Sequence, residues 1–293
     1  MLPFDTARKQ PPGSALGIHD TLYSLLVPTW LRFSDGKKLS NKQNRIGIVY
    51  FIYINSKKDY KKVIKDQLKD VESSGILNDA DIYLEVNISD DVNCKGSLDQ
   101  FFNSLGITFS NIHYTKENYF EYEGLSRIHT LAEENKYDFL CYFHTKGMSY
   151  KKKGLFNRSP REIVLTFLNF HNYKHTVKIF DSNKEIGKAG PFPCLNENTK
   201  VSDQWSWFNF FWARSDYVRN LEAPQKTTDR YYYESWISRA SKTPSLCYSL
   251  YAKKIQGFTG SKASTTLKNL SKLYKYTFPI SLIYIKLMYF FNK

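Results

Sequence analysis

The stretch Tyr137-Asp138-Phe139-Leu140-Cys141-Tyr142-Phe143-His144-Thr145-Lys146-Gly147 decides the fold. Phe139 to Phe143 is an apolar run of strand length, the pattern of a strand covered on both faces. It stops at a His, a hydroxyl, a Lys and a Gly, where the chain must turn into a loop. A strand end of this composition meets a phosphate through the Lys and through exposed backbone N–H groups. The same residues also suit a capped turn with one satisfied His. Working back from this strand, the periodicity predicts a helix over Tyr122 to Asn135, a strand over Ile107 to Tyr114 and a short helix near Leu98 to Leu105. Before these it predicts a strand over Asp81 to Ile88, a helix over Tyr60 to Ser73 and a first apolar strand over Ile46 to Ile54. Strands alternating with helices define an α/β fold with a Rossmann-like, mostly parallel sheet flanked by helices, whose ligands bind beyond the carboxyl ends of the strands.

Beyond the deciding stretch the pattern is less regular. It predicts one long helix from Pro160 to Phe180, a strand over Ile186 to Gly190, an aromatic strand over Phe208 to Arg214 and a helix starting near Arg230. The expected organisation is an irregular extension over 1–45, a single domain over 46–260 with halves 46–150 and 151–260, and a basic amphipathic helical tail over 261–293.

Composition narrows the partners. A hydrophobic content of 42% excludes a disordered chain, and 22 Tyr with 21 Phe suit contact with flat, ring-shaped ligands. Lys and Arg outnumber Asp and Glu by 42 to 28, a surplus that attracts phosphates, nucleotides, nucleic acids or an anionic membrane surface. Cys94, Cys141, Cys194 and Cys247 lie far apart with no C-x-x-C pair, which predicts thiols in a reducing compartment. The apolar patch Leu22 to Leu31 contains Pro28 and lacks a basic leader, so no signal peptide is expected.

From about Arg45 to about Arg239 the chain resembles nucleotide-sugar glycosyltransferases of the GT-A fold, in particular bacterial and viral surface-polysaccharide transferases with an H-T-K-G motif after the fourth strand. Ile46 to Asn55 is similar to the family's first strand, and Asp81 to Asp91 to its second strand and base-reading loop. Glu121 to Asn135 is similar to the helix before the metal strand. The resemblance implies a nucleotide-sugar donor bound by Tyr53, Asn55, Asn87, Ser89, Arg127 and Lys146, with His144 at the catalytic position. Where the family carries an Asp-any-Asp metal motif this chain has His144-Thr145-Lys146. No metal ligand is therefore assigned, a Mn or Mg cofactor is not supported by the motif, and Lys146 is expected to meet the diphosphate.

Trp205 to Tyr217 is similar to the family's acceptor-side strand, which implies acceptor contacts from Asn209, Trp212, Arg214 and Asp216, although several of these aromatics are also expected to pack inward. Asp229 to Ile237 resembles the helix that presents a carboxylate to the acceptor, which makes Glu234 the candidate base of an inverting displacement, with Asp216 and Asp229 as substitutes; Glu234 also suits an ordinary acidic residue in a helix's first turn. Asp79-Ala80-Asp81 spells a metal motif at the wrong end of a strand and reads as a turn. His171 and His175 lack an acidic companion and read as a polar helix face. Lys151 to Lys153 with Arg158 and Arg161 read as a solvated loop or as a guide for an anionic substrate. The stretch Leu267 to Lys293 suits either a helix in a membrane interface or one docked on the body.

The expected function is sugar transfer onto a glycan or lipid-linked glycan at the cytoplasmic face of a membrane. The rival readings are a basic nucleic-acid-binding protein, disfavoured because no nucleic-acid motif is present and the charges are dispersed, and a non-catalytic glycan-binding relative.

Overall fold

The computed structural model describes residues 45–146, 148, 158–195, 205–239 and 245–274. Its centre is β1 (Ile46–Tyr53), in which every residue but Tyr53 is buried. Ile48, Tyr50 and Ile52 face one apolar cluster and Val49 and Phe51 the other, as the two-residue period of a strand covered on both sides requires. The chain continues through α1 (Tyr60–Ser73), β2 (Ala80–Asn87), α2 (Lys95–Asn103), β3 (Asn111–Thr115), α3 (Tyr122–Glu133) and β4 (Phe139–His144). The second half adds α4 (Pro160–Phe170), α5 (Tyr173–Ser182), β5 (Ile186–Gly190), β6 (Phe211–Arg214), α6 (Ser215–Val218), α7 (Arg230–Ser235), β7 (Leu246–Ser249), β8 (Lys254–Ile255) and a last helix, α8, over 260–274.

One mixed sheet in the order β3-β2-β1-β4-β6-β5-β7-β8 runs through both halves. β1 is parallel to β2 and β4, β2 to β3, and β5 to β7, while β6 runs antiparallel between β4 and β5 and β8 antiparallel to β7. The fold is thus α/β with a mostly parallel sheet. α1, α2, α4, α5 and α8 cover the Tyr50 face through residues such as Leu68, Phe102, Leu165, Phe180 and Leu267. α3, α6 and α7 cover the Phe51 face through Leu125, Ile128, Val218 and Tyr233. The connections leave β1 toward β2 on one side and place β4 on the other, so the strand order reverses between β1 and β4. Ligands of open α/β sheets bind at this kind of reversal.

Several expectations are corrected. The helix expected over Pro160 to Phe180 is two helices: Asn172 leaves the helical region at φ −131° and starts α5 instead, its carbonyl accepting from the His175 and Thr176 amides. β6 begins at Phe211 and not at Phe208, because Phe208 and Asn209 hold left-handed φ values of 75° and 56° that no strand tolerates. Strands β7 and β8 were not expected. Asp79-Ala80-Asp81, read as a turn, is a turn only at Asp79; Ala80 and Asp81 are the first residues of β2, paired with Ile46 and Gly47. The stretch from Leu267 continues α8, a docked helix, as far as Tyr274, with Leu267 and Leu270 buried in the core. The rest of the tail, the extension before Arg45 and Lys151 to Lys153 lie outside the described residues. No helix among the described residues is long and apolar enough to cross a membrane.

Candidate functional site

The carboxyl ends of β1 and β4 are tied together across the reversal. The Tyr53 amide donates to Thr145 Oγ1 at 2.9 Å, the Thr145 amide to the Phe51 carbonyl at 3.0 Å, and Asn55 Nδ2 to the Met148 carbonyl at 2.7 Å. The β2 end is fixed in the same way. Asn87 Nδ2 donates to the Glu117 carbonyl at 2.7 Å, its Oδ1 accepts from the amide and hydroxyl of Ser89, and Asp90 accepts from both the amide and the hydroxyl of Ser56. Tyr53, Asn55, Asn87, Ser89, His144 and Lys146 therefore share one edge of the sheet. From beneath, Gln67 donates to the His144 carbonyl at 3.1 Å and is itself held by Tyr50 at 2.6 Å.

His144 is buried beneath this edge. Its Nε2 lies 3.1 Å from the Phe208 carbonyl, which can only accept, so Nε2 carries the proton and Nδ1 is bare. Nδ1 lies 3.7 Å from Glu121 Oε1. Burial, helped by the Lys146 charge, holds the imidazole down at about 3, so it is neutral at physiological pH. Glu121 is shifted the other way: burial pushes its carboxyl up to about 7, Lys146 opposing the rise and Glu234 adding to it. The contact is therefore no ion pair but a bare imidazole nitrogen facing a carboxyl that titrates near neutrality. Glu121 precedes α3 at the cap position, yet its side chain makes no capping bond and its Oε2 has no partner.

Two local features aim these groups. The consecutive left-handed residues Phe208 and Asn209 turn the Phe208 carbonyl toward His144. The Phe208 ring also lies under the Lys146 ammonium, 5.2 Å from Nζ. Gly124, in the first turn of α3, rests on Tyr142, where an added Cβ would come within 2.6 Å of the ring. The missing side chain lets α3 settle onto β4 and brings Glu121 beside His144.

α7 supplies the remaining charges. Asp229 caps it by accepting from the Tyr231 amide at 2.9 Å, which occupies that carboxylate. Glu234 lies on the same helix with Arg230 Nη2 at 3.8 Å. Arg230 and Glu234 both act on Glu121 and on Lys146, whose pKa burial lowers from that of a free lysine. The result is a cluster that brings Lys146, Arg230 and Glu234 together with a Glu121 that is part protonated.

Three expected acceptor residues lie elsewhere, because β6 runs antiparallel to β4 and Arg214 is registered against Phe139, at the far end of β4 from His144. Arg214 forks onto Asp216 at 2.9 and 2.7 Å and donates to the Phe180 carbonyl. Trp212 is wholly buried, with its indole N–H on the Asn169 carbonyl at 2.9 Å, and belongs to the core. Asn209 stays with the site, 2% exposed, its Nδ2 without a partner. Arg127, on α3, is bonded at 2.7 Å to the buried Glu85 in the interior of β2, with His113 on the other carboxylate oxygen. Its guanidinium is committed to that carboxylate, which argues against a donor contact. Arg158, expected in a solvated loop, is buried between Asp70 and Glu162. His175 bonds the Tyr248 hydroxyl at 3.1 Å. Glu121 and Arg230 were missed: an acidic residue before a helix and a basic one on it are too common to single out.

Among the described residues no cluster of three His, Cys, Asp or Glu side chains is placed to hold a metal. A cleft of about 720 Å³ opens at the opposite edge, around Asp79, Asp81, Lys136 and Tyr137. Its carboxylates are engaged, Asp81 by Lys136 and Tyr137 and Asp79 by Tyr173. The class the fold and site define is an α/β protein with a charged, partly buried site at the strand-order reversal. Neither the protein-family models nor the curated proteins compared with this chain include a match to it.

Proposed function

We propose that the chain is a GT-A-like glycosyltransferase that moves a sugar from a nucleotide-sugar donor to a glycan acceptor with inversion. The observation that carries this reading is the convergence of Lys146, Arg230 and Glu234 at the carboxyl ends of β1 and β4. There the cations meet a diphosphate and the carboxylate meets an acceptor hydroxyl. In the reaction the acceptor oxygen attacks the anomeric carbon and passes its proton to Glu234. The bond from that carbon to the diphosphate oxygen breaks on the opposite face, and the departing nucleoside diphosphate is met by Lys146 and Arg230. His144, neutral and bound to the Phe208 carbonyl, does not supply charge; it holds the Phe208 turn and faces Glu121.

The test is a thermal-shift screen of nucleoside diphosphates and nucleotide sugars in chelator, followed by transfer assays. Lys146→Ala should raise the donor Kd roughly tenfold to a hundredfold, the worth of one charge-assisted contact. Donor binding that vanishes in chelator and ignores the Lys146 change would remove Lys146 from the diphosphate, and the absence of any donor binding, with or without metal, would sink the glycosyl-transfer reading. Donor binding with no turnover on any acceptor would assign the chain to a sugar-binding role.

A further inference from the structure

The His144 carbonyl accepts two hydrogen bonds, and we propose that one of the donors, Gln67, is the positioning residue that aims Lys146, held in place by a buried polar seam between α1 and α4. Where it concerns the diphosphate, the inference rests on the glycosyl-transfer reading. The other donor is the Lys146 amide itself, at 2.8 Å, which closes a three-residue turn at the end of β4. Gln67 Nε2 reaches the same oxygen at 3.1 Å. The turn that carries Lys146 and the Gln67 side chain thus share one acceptor and together fill its two lone pairs.

Gln67 is wholly buried, and its neighbours fix its orientation. A carbonyl only accepts, so Nε2 faces His144, and Oε1 is left to accept from the Tyr50 hydroxyl at 2.6 Å. The second N–H of the carboxamide reaches Thr166 Oγ1 at 3.3 Å. That hydroxyl donates to Glu162 Oε1 at 2.6 Å, a carboxylate forked by Arg158 at 2.5 and 2.8 Å. Arg158 donates in turn to Asp70 at 2.7 Å. Gln67 and Asp70 stand three residues apart on α1, and Glu162 and Thr166 four apart on α4, so each pair lies on one helix face and the two faces meet.

Stability does not account for this seam. Tyr50, Gln67, Glu162 and Thr166 are buried on the side of the sheet that Ile64, Leu68 and Leu165 fill, where packed apolar side chains of similar volume are often as stable as an ion pair or more so. What apolar side chains could not supply is a donor to the carbonyl at the strand end. The seam finishes on that carbonyl, two residues before the lysine whose ammonium lies over the Phe208 ring at 5.2 Å. It fixes the peptide on which Lys146 turns.

Two readouts test this. Calorimetric titration with inorganic pyrophosphate compares wild type, Gln67→Met, Lys146→Ala and the pair. Gln67→Met should raise the Kd about 3- to 10-fold, the worth of one hydrogen bond, but by less than about 2-fold once Lys146 is Ala, because nothing is then left to aim. No rise in the single variant, or equal rises in both backgrounds, overturns the assignment. The second readout is the NMR signal of the Lys146 methylene beside the ammonium, shifted by the Phe208 ring and identified by its loss in Lys146→Ala. It should move toward that of a free lysine in Gln67→Met and stay in place in Tyr50→Phe, which breaks the seam but spares the bond to His144. A signal that Gln67→Met leaves unmoved, or that Tyr50→Phe moves as far, overturns the assignment. If wild type binds neither pyrophosphate nor any nucleotide sugar, the glycosyl-transfer reading falls and the NMR signal decides alone. Should Gln67→Met fold poorly because the Tyr50 hydroxyl is left unpaired, the Tyr50→Phe, Gln67→Met double variant removes both partners and must give the same two results.

Discussion

Replacing Glu121 with Gln tests the electrostatics of the site without reference to any substrate. The carboxyl ordinarily titrates at 4.5 and in the folded protein at about 7, chiefly through burial. A folded pKa above the unfolded one means that the native state binds the proton more tightly. The resulting stabilisation is complete below about 4.5, falls as the unfolded chain ionises, and is gone once the pH passes about 7. Each unit is worth 1.36 kcal/mol, so the wild type should lose about 3 kcal/mol across this window relative to a variant that cannot ionise. His144 contributes the opposite slope: held down at about 3, it makes the folded state less stable as the pH falls below the ordinary histidine range. The two slopes overlap near pH 5 to 6, so the wild-type profile alone is uninformative and the difference between proteins is the quantity to read. Urea unfolding of wild type and Glu121→Gln at pH 5, 6, 7 and 8 supplies it. The advantage of Gln over Glu should grow with pH and level off above about 7. Parallel profiles, or a gap that widens toward acid, would refute the buried, part-protonated carboxyl.

Glu234→Gln keeps the size of the side chain but removes the base, so turnover should fall about 10²- to 10⁴-fold with donor affinity little changed; near-normal turnover, or a product retaining the donor's anomeric configuration, would remove Glu234 from the reaction. Ending the chain after Tyr274 should leave the melting temperature close to wild type, because α8 keeps Leu267 and Leu270 in the core. Leu267→Ala should cost about 2–5 kcal/mol in urea unfolding, and a negligible cost would show that α8 is not part of the core. If the residues after Tyr274 lie on a membrane, the shortened protein should sediment less with anionic vesicles.

β3, with no buried residue, starts at Asn111, four residues after the expected Ile107. The alternation of β1 to β4 was legible all the same, because β1, β2 and β4 each carry a largely apolar run that is buried over six or more residues and each intervening helix its own period. Ile186–Gly190 was legible for the same reason. β7 was not: Leu246–Ser249 is four residues long, and its burial comes from β5 and the helices beside it, not from a pattern in those residues. β6 misled for a different reason. Phe211 to Arg214 was read correctly as a strand, but its start and its direction are tertiary properties: the turn at Phe208 and Asn209 precedes it, and its antiparallel course sends Arg214 and Asp216 to the far edge. At the site, Lys146 and His144 stand out because a polar residue ending an apolar strand is uncommon. Glu121 acquires its chemistry only when α3 comes down on β4.

That descent rests on one absent methyl group. At Gly124 any side chain would collide with Tyr142 and also with Phe51, whose Cβ stands 2.9 Å from where a Cβ would be. An alanine there would leave the sheet, its order and most of the core in place, and would lift one end of α3 by a fraction of its diameter. Glu121 rides on that end. A chain drifting by this substitution could keep its shape and most of its stability while its carboxyl swung away from the imidazole. Among descendants of this sequence, retention of Gly124 would mark the copies in which the proton-holding pair survives.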